Sequence, residues 1–400
     1  MANTYEVLVI GGGASGLFTM IDLIKNGVKS AVLLERADRI GKKLIATGNG
    51  QGNLYNKNLT TDNFHSKTPS FFVPAITSYS EKEYEKFLLF LGIKTEIDEE
   101  GRAYPISRQA SSVLDYMRFY LEKNNALIYT NAFVNSIKKD GEEFVVGTVS
   151  GATYRSKRVI LATGGTASKS FGTDGNGYLL AKKLGHTITE LNPALVRLKT
   201  DNAVTKTLKN LKALVRATLF DNGKKVKSVV GEVLFTDFGL SGNAIFSLST
   251  YAVRAKNPKI SLEFLPNISF DEVVKIIDLR LSLGYINKED ILTGLVQKMI
   301  GRAILKNAQD FTAKSLAKSL KNYEFNITGT FGFDNAQVTS GGVDVDFVNP
   351  TTMESKVVKD LYLTGEILDV DGDCGGYNLQ WAFSSAKTAT SDIIKKIGVK

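Results

Sequence analysis

Four hundred residues with 43% hydrophobic and 23% charged side chains form an ordinary globular composition, too long for one core and too apolar for disorder, so two or three domains are expected. A single cysteine, Cys374, excludes an intrachain disulfide, a CxxC redox pair and a thiolate zinc site; no metal is expected, and a reducing cytoplasm fits. The net charge of +9 raises an anionic partner, but the lysine pairs at 42–43, 138–139, 182–183, 224–225 and 395–396 are scattered without interleaved aromatics, so they read as solvated faces and nucleic acid as an unlikely partner.

In chain order, Tyr5 to Ile10 is a β-branched run whose apolar end, Val7-Leu8-Val9-Ile10, is far shorter than a membrane span and lacks a signal peptide's basic start, so no membrane partner is expected. Ala14 to Lys25 shows helical spacing before Gly27, and Ala31 to Leu34 is a second strand, which completes a βαβ unit. Ser80 with Glu83 predicts a capping box for a helix ending near Gly92. Lys157 to Ala162 reads as a buried strand, and a helix from about Gly177 to Leu184 is closed by Gly185.

From about Leu191 the pattern changes. Ala217 to Phe220 and Val226 to Phe235, joined by Asp221-Asn222-Gly223, predict a hairpin in a β-rich insert. Ser269-x-x-Glu272 opens a helix through Leu283, and amphipathic stretches at Lys288 to Lys306 and Phe311 to Leu320 complete a helical cluster. Val343 to Phe347 and Leu361 to Leu363 are strand-like, and Leu379 to Ile394 is a final helix behind a glycine-rich loop. These changes divide the chain into an α/β part at 1–190 and 341–400, a β-rich insert at 191–268 and 325–340, and a helical insert at 269–324.

Gly11-x-Gly13-x-x-Gly16 lies between strand and helix, where glycines permit a tight turn, close pyrophosphate approach and tight helix packing; Ala14 and Ser15 begin the helix whose N–H groups suit the anion. Glu35, nineteen residues after Gly16 at the end of the second strand, is placed to accept hydrogen bonds from ribose hydroxyls, with Arg36 beside it. The pattern is that of a dinucleotide-binding Rossmann-like domain.

Several separated motifs then agree: Thr47-Gly48-Asn49-Gly50 running to Asn53, Gly101-Arg102-x-Tyr104-Pro105, Ala162-Thr163-Gly164-Gly165, Thr339-Ser340-Gly341-Gly342-Val343, Gly365-Glu366 with Asp369-x-Asp371-Gly372, and Gly376-Tyr377-Asn378-Leu379-Gln380. In these the chain resembles, over essentially its whole length, the HI0933-like flavoprotein family, also called the BaiN or aminoacetone-oxidase-like family, within the glutathione-reductase-type FAD fold. The resemblance implies an FAD-binding domain formed by both termini around the two inserts. It also implies that Lys42 and Lys43 lie near the pyrophosphate, that Thr47 to Asn53 pass the flavin, and that Thr163 to Gly165, Gly365, Glu366 and Gly376 to Leu379 complete the cofactor site. Many members carry Arg-Cys where this chain has Gln51-Gly52, so a thiol role at that loop is absent.

The activity implied is that of an FAD-dependent oxidoreductase in which flavin N5 exchanges a hydride with a small organic substrate. Two directions stay open: an amine oxidised with O₂ reduced to peroxide, and an enone-type acceptor reduced with NAD(P)H docking transiently. The absence of a second GxGxxG tilts the reading toward an oxidase or toward nicotinamide that docks only transiently at the flavin face, and leaves reduction by NADH open. An RNA-directed flavoprotein and a non-catalytic FAD-binding protein are the alternatives from other classes. Arg102, Tyr104 and Cys374 are the candidates for the substrate side, while His65 and His186 read as structural or exposed.

Overall fold

The structure is a computed structural model that describes residues 4–201 and 203–398. Two compact units divide the chain: residues 1–192 with 338–400, and residues 193–337.

The first unit opens with β1 (Thr4–Ile10), α1 (Ala14–Lys25) and β2 (Ala31–Leu34). Val7 to Val9 are fully buried, as a central parallel strand covered on both faces requires. Two short strands, β3 (Tyr55–Asn56) and β4 (Phe64–His65), follow, then helices α2 (Val73–Ser78) and α3 (Glu81–Phe90). The Ser80 hydroxyl does cap α3, through Lys82 N at 3.4 Å, but no capping box closes, because Glu83 pairs instead with Lys86 at 2.6 Å. β5 (Thr95–Ile97) and β6 (Arg102–Pro105) join β3 in a small antiparallel sheet. After α4 (Ala110–Lys123) come β7 (Leu127–Tyr129), β8 (Val134–Asp140), β9 (Glu143–Thr148) and β10 (Thr153–Leu161), then α5 (Asn176–Lys183).

The main sheet runs β7-β2-β1-β10-β9-β8, with β10 also pairing β19 (Leu361–Leu363). Residues 153–156 of β10 pair antiparallel with β9, whereas residues 159–161 pair parallel with β19. One long strand therefore serves both the hairpin and the parallel core.

After β11 (Asn192–Ala194) the second unit contains a closed barrel in the order β12-β15-β14-β13-β16-β17, made of β12 (Leu198–Thr200), β13 (Lys212–Asp221), β14 (Lys224–Thr236), β15 (Gly239–Ser241), β16 (Pro258–Phe264) and β17 (Tyr323–Thr330). The β13–β14 turn has Asn222 at φ 50° and Gly223 at φ 78°, the pair of positive values a two-residue hairpin needs. Closure removes the sheet edges and lets Val215, Ala217, Leu219, Val233 and Ile260 point inward. Helices α6 (Val204–Thr207), α7 (Asn243–Ala252), α8 (Phe270–Ser282), α9 (Lys298–Lys306) and α10 (Ala313–Lys321) belong to the same unit.

Ser269 caps α8 through Glu272 N at 3.2 Å. The stretch expected to be helical from Lys288 makes one 3₁₀ turn at Lys288–Asp290 and is α-helical only from Lys298. Gly294 at φ 83° breaks it, and the Asp290 carboxylate is drawn to Lys298 and Arg302 across the turn.

The chain returns through β18 (Val338–Ser340), β19, β20 (Asp371–Gly372) and α11 (Tyr377–Ile397). Val343 to Phe347 is not a strand. The Asp344 carboxylate accepts from Asp346 N at 3.1 Å and winds Val345–Phe347 into a 3₁₀ turn.

α11 is pinned to α1 by Asp22, which is buried and meets Lys387 Nζ at 2.6 Å and the Thr390 hydroxyl. Behind it Phe18, Tyr84, Phe87 and Phe383 form an aromatic knot in which Tyr84 and Phe383 stack at 4.5 Å. The two ends of the chain are thus parts of one core.

Candidate functional site

Three registers decide where the motifs fall. Ile10 aligns with Leu34 and with Leu161, and Leu161 aligns with Leu363, so four parallel strands end at one level. The next residues continue the ladder: Gly11 N donates to Leu34 O at 2.8 Å, Ala162 N to Ile10 O at 2.9 Å, and Thr364 N to Leu161 O at 3.0 Å. Gly11 to Gly16, Glu35, Thr163 to Gly165 and Gly365-Glu366 therefore share one carboxyl edge, the edge where open parallel sheets bind ligands.

The three fingerprint glycines do three different things. A Cβ on Gly11, at φ 109°, would lie 2.4 Å from Ala162 O, and one on Gly16 would lie 1.9 Å from Gly11 O, so both are demanded by packing. A Cβ on Gly13 would meet nothing within 4 Å. Its freedom from side chain faces open space at the α1 N-terminus, where no side chain caps the helix and the first-turn N–H groups remain for an anion. Ser15 Oγ donates to Thr364 Oγ1 at 2.8 Å, which ties the helix start to the residue that follows β19.

Glu35 Oε2 accepts from Gly12 N at 2.6 Å and Oε1 from Ala37 N at 2.7 Å. These bonds fix the carboxylate beside the turn and leave each oxygen a further lone pair. Arg36 is placed differently: its guanidinium lies over the Phe133 ring at 4.4 Å and pairs with Asp174 at 2.5 Å. Lys42 pairs with Asp38 at 2.6 Å, while Lys43 reaches Glu366 Oε2 at 2.8 Å. The other Glu366 oxygen accepts from Thr339 N at 2.9 Å, and Thr339 Oγ1 accepts from Thr166 N at 2.9 Å and Ala167 N at 3.0 Å. Nothing in the motif around Thr339 assigns that residue a role in advance. Thr339 joins the loop after β10, through its hydroxyl, to the one after β19, through its backbone N–H.

The Thr47 to Asn53 loop takes left-handed backbone at Gly48, Asn49 and Gly50, and Thr47 Oγ1 bonds Leu44 O at 2.7 Å. It runs beside the start of α11: a Cβ on Gly376, at φ 100°, would lie 2.6 Å from the Tyr55 carbonyl carbon and 2.8 Å from Asn53 Oδ1. Asn378 clasps Gly372 reciprocally, accepting from its N at 2.8 Å and donating to its O at 2.9 Å. Gly365 is held by Ser385 Oγ at its N and Trp381 Nε1 at its O, and Leu379 packs against the core. Tyr377 sits edge-on to Phe64, and burial pushes its phenol up to about 12.

Two buried polar atoms on these loops, Asn53 Oδ1 and Thr163 Oγ1, have no hydrogen-bond partner among the described residues. Buried groups of this kind cost free energy unless something satisfies them. With the open Gly13 and the uncapped helix, they fit a polar, phosphate-bearing group such as FAD.

Of the substrate-side candidates, β6 carries Arg102 and Tyr104, and it sets Tyr104 beside the Thr47 to Asn53 loop, where a Cβ on Gly48 would lie 3.4 Å from the Tyr104 ring. Arg102 Nε pairs with Asp98 at 2.7 Å and Nη1 with Glu100 at 2.8 Å. Tyr104 is buried under the Arg108 guanidinium at 4.3 Å, and that burial raises its pKa. Cys374 is half-buried with its sulfur shielded from water, which pushes the thiol up to about 11. His65 is less peripheral than its sequence context suggested: its Nε2 meets Asp373 Oδ1 at 2.8 Å, and β4 pairs with β20 through His65 and Asp371. His186 is buried against Ser355, as a structural histidine.

A sheet of this order, with a glycine turn, an acid and an uncapped helix at its carboxyl edge, defines a dinucleotide-binding domain of Rossmann type. Residues 5–392 match the model of the HI0933-like protein Rossmann domain; the chain belongs to that family and is an FAD-dependent oxidoreductase. It is 35% identical over 398 residues to a 3-dehydro-bile acid delta(4,6)-reductase of Clostridium scindens, covering 95% of this chain and 97% of the relative. It is 29% identical to a ribosomal RNA dihydrouridine synthase of Haemophilus influenzae, covering 99% of this chain and 100% of the relative. The fold is shared with a 3-ketosteroid delta1-dehydrogenase from Sterolibacterium denitrificans at a TM-score of 0.50 and 10% identity, with coverage of 98% and 100%. Among the described residues no helix is long and apolar enough to cross a membrane.

Proposed function

We propose that this chain is a reductase that adds two hydrogens across a C=C bond conjugated to a carbonyl, with NADH or NADPH as the electron source. The observation that carries the reading is that two relatives matched end to end are named for different substrates but one outcome. A delta(4,6)-reductase of a 3-dehydro bile acid and a synthase of dihydrouridine both remove a double bond conjugated to a carbonyl. An amine oxidase has no such support. The missing second GxGxxG does not weigh against a reductase whose nicotinamide docks only transiently.

Bound FAD supplies the two-electron hydride exchange. The protein's part is binding and positioning. The α1 N-terminus and Gly13 would take the pyrophosphate, Glu35 the ribose, and Lys43, held by Glu366, would add positive charge beside the phosphates. The loops at Thr47 to Asn53 and Gly376 to Leu379 would hold the isoalloxazine, and the N–H groups at the start of α11 would favour negative charge on it. Tyr104 and Cys374 carry their protons at neutral pH, and burial raises both pKa values further, so they are the candidates to donate a proton to the substrate carbon next to the carbonyl.

The test is anaerobic. Protein reduced with NADH or NADPH is mixed with a 3-dehydro bile acid carrying the 4,6-diene, with uridine-containing RNA, with a small amine, or with air. Reoxidation by one of the first two, with a product heavier by two hydrogens, is expected. Reoxidation by O₂ alone with stoichiometric peroxide contradicts the reading.

A further inference from the structure

The positive charge of this protein is not spread over it. Residues 193–337 carry 21 Lys and Arg against 13 Asp and Glu, a net of +8 out of +9, while the FAD-binding unit is nearly neutral at +1. A charge asymmetry of this size between two units of one chain marks the charged one as the partner for a polyanion.

Within the unit the barrel gathers part of that charge at one end. At the β13–β14 turn, Asp221 aligns with Lys224, Phe220 with Lys225 and Leu219 with Lys227. On the other side of β13, Phe220 aligns with Lys259 of β16, so Lys225 and Lys259 flank one strand. The loop before β16 adds Arg254 and Lys256, held to the hairpin because Asp221 Oδ1 accepts from Lys256 N at 3.1 Å and Asn257 N at 2.9 Å.

The nearby carboxylates are already engaged. Asp221 Oδ1 accepts from those backbone N–H groups and from Asn222, Glu324 pairs with Lys259 at 2.9 Å, and Asp201 accepts from Asn326 at 2.8 Å. Lys227 lies over the Tyr251 ring at 5.2 Å. Lys224, Lys225, Arg254 and Lys256 are exposed. Asn222 and Asn257 lie exposed among them, which adds neutral hydrogen-bonding groups suited to sugar and phosphate oxygens.

We propose that this end of the barrel, the β13–β14 turn with the 254–257 loop and the start of β16, is a docking surface for the phosphodiester backbone of an RNA strand. The inference deepens the reductase reading and rests on it for the identity of the polyanion: a base presented for reduction within RNA brings with it a row of phosphates to be held. Lysines on a turn and a loop, rather than arginines aimed from a helix into a groove, grip charge without reading sequence.

The experiment uses the full-length FAD-loaded protein and a labelled uridine-rich single-stranded RNA, with affinity measured across a salt series. Lys224→Glu/Lys225→Glu/Lys256→Glu is compared with wild type and with Lys29→Glu/Lys138→Glu/Lys182→Glu, which reverses three exposed lysines of the neutral unit. The milder Lys→Gln version of the first variant is run alongside in case charge reversal impairs folding.

The barrel variants are expected to lose roughly tenfold or more in RNA affinity at low salt, with a salt slope shallower by about 0.7 for each phosphate that is no longer neutralised. Flavin content and reduction by NAD(P)H stay at wild-type values, and the control keeps the wild-type slope. Unchanged affinity and slope in the Lys→Gln variant overturns the inference. So does an equal loss in the control, or binding to phosphatidylglycerol vesicles in place of RNA.

The two readings fail separately. Reduction of a free 4,6-diene by a protein whose RNA binding ignores the patch defeats only the docking surface. Patch-dependent RNA binding by a protein that reduces no C=C bond defeats only the reductase.

Discussion

At the scale of single residues, the fingerprint glycines separate folding from binding. Gly16 has its pro-Cβ direction filled by Gly11 O at 1.9 Å, whereas Gly13 sits at φ −76° with nothing within 4 Å. Gly16→Ala is expected to destabilise the domain by several kcal/mol or to prevent its folding, since backbone on backbone cannot move aside. Gly13→Ala is expected to fold with a wild-type melting temperature as apoprotein and to bind FAD poorly, because the added methyl occupies the pyrophosphate's approach.

His186 is another residue whose environment dictates a measurement. Ser355 Oγ already accepts from Val357 N and Val358 N, so its proton goes to His186 Nε2 and the ring proton sits on Nδ1, which is buried without a partner. Burial lowers the pKa of this imidazole, so the folded protein holds it neutral. As pH falls through the unfolded value of about 6.5, the unfolded chain binds a proton the fold refuses, and stability drops. The melting temperature is expected to fall between about pH 7 and about pH 5, and His186→Gln is expected to flatten that slope; an identical slope in the variant rules the histidine out as the cause.

At the scale of elements, the clasp between α1 and α11 makes the fold depend on both ends of the chain. Lys387→Met leaves the buried Asp22 carboxylate with Thr390 and without its charge partner, and roughly 2–4 kcal/mol of stability is expected to be lost in urea unfolding. Lys43→Met, by contrast, removes a cation at the site edge. It is expected to weaken FAD retention about tenfold while the unfolding midpoint of the apoprotein stays within the effect of a surface substitution.

The same scale shows what could be read in advance. β1, α1, β2 and the Asn222-Gly223 turn were legible because local signals fix them: a buried apolar run, glycines at one spacing, a two-residue turn with positive φ. Glu35 was legible by its distance from Gly16. Pairings between residues far apart in sequence were not. Nothing local tells that Lys43 meets Glu366, that Thr339 gathers the N–H groups of Thr166 and Ala167, or that His65 faces Asp373. The helix expected from Lys288 failed because apolar periodicity continued through Gly294, where the backbone turns left-handed. Val343 to Phe347 failed because an Asp344 cap outweighed β-branched propensity over so short a run.

At the scale of the whole molecule, two assignments follow from two distributions. The motifs at Gly11 to Gly16, Glu35, Thr163 to Gly165 and Gly365-Glu366, distant in sequence, fall at one level of one sheet because parallel strands in register place their carboxyl termini together. The basic residues, scattered in sequence, divide so that residues 193–337 hold nearly all the net charge. On the two proposals made above, the FAD site and the polyanion-docking surface fall in different units of one chain.

Whether the carboxyl edge of that sheet is the FAD site is measured most directly by flavin content. Wild-type and Gly13→Ala proteins are purified, shown to be folded, and denatured to release bound flavin. Stoichiometric FAD from the wild type and little from a folded Gly13→Ala protein is the predicted result. FAD retained at wild-type stoichiometry and affinity by Gly13→Ala, or no FAD from either protein, would contradict it.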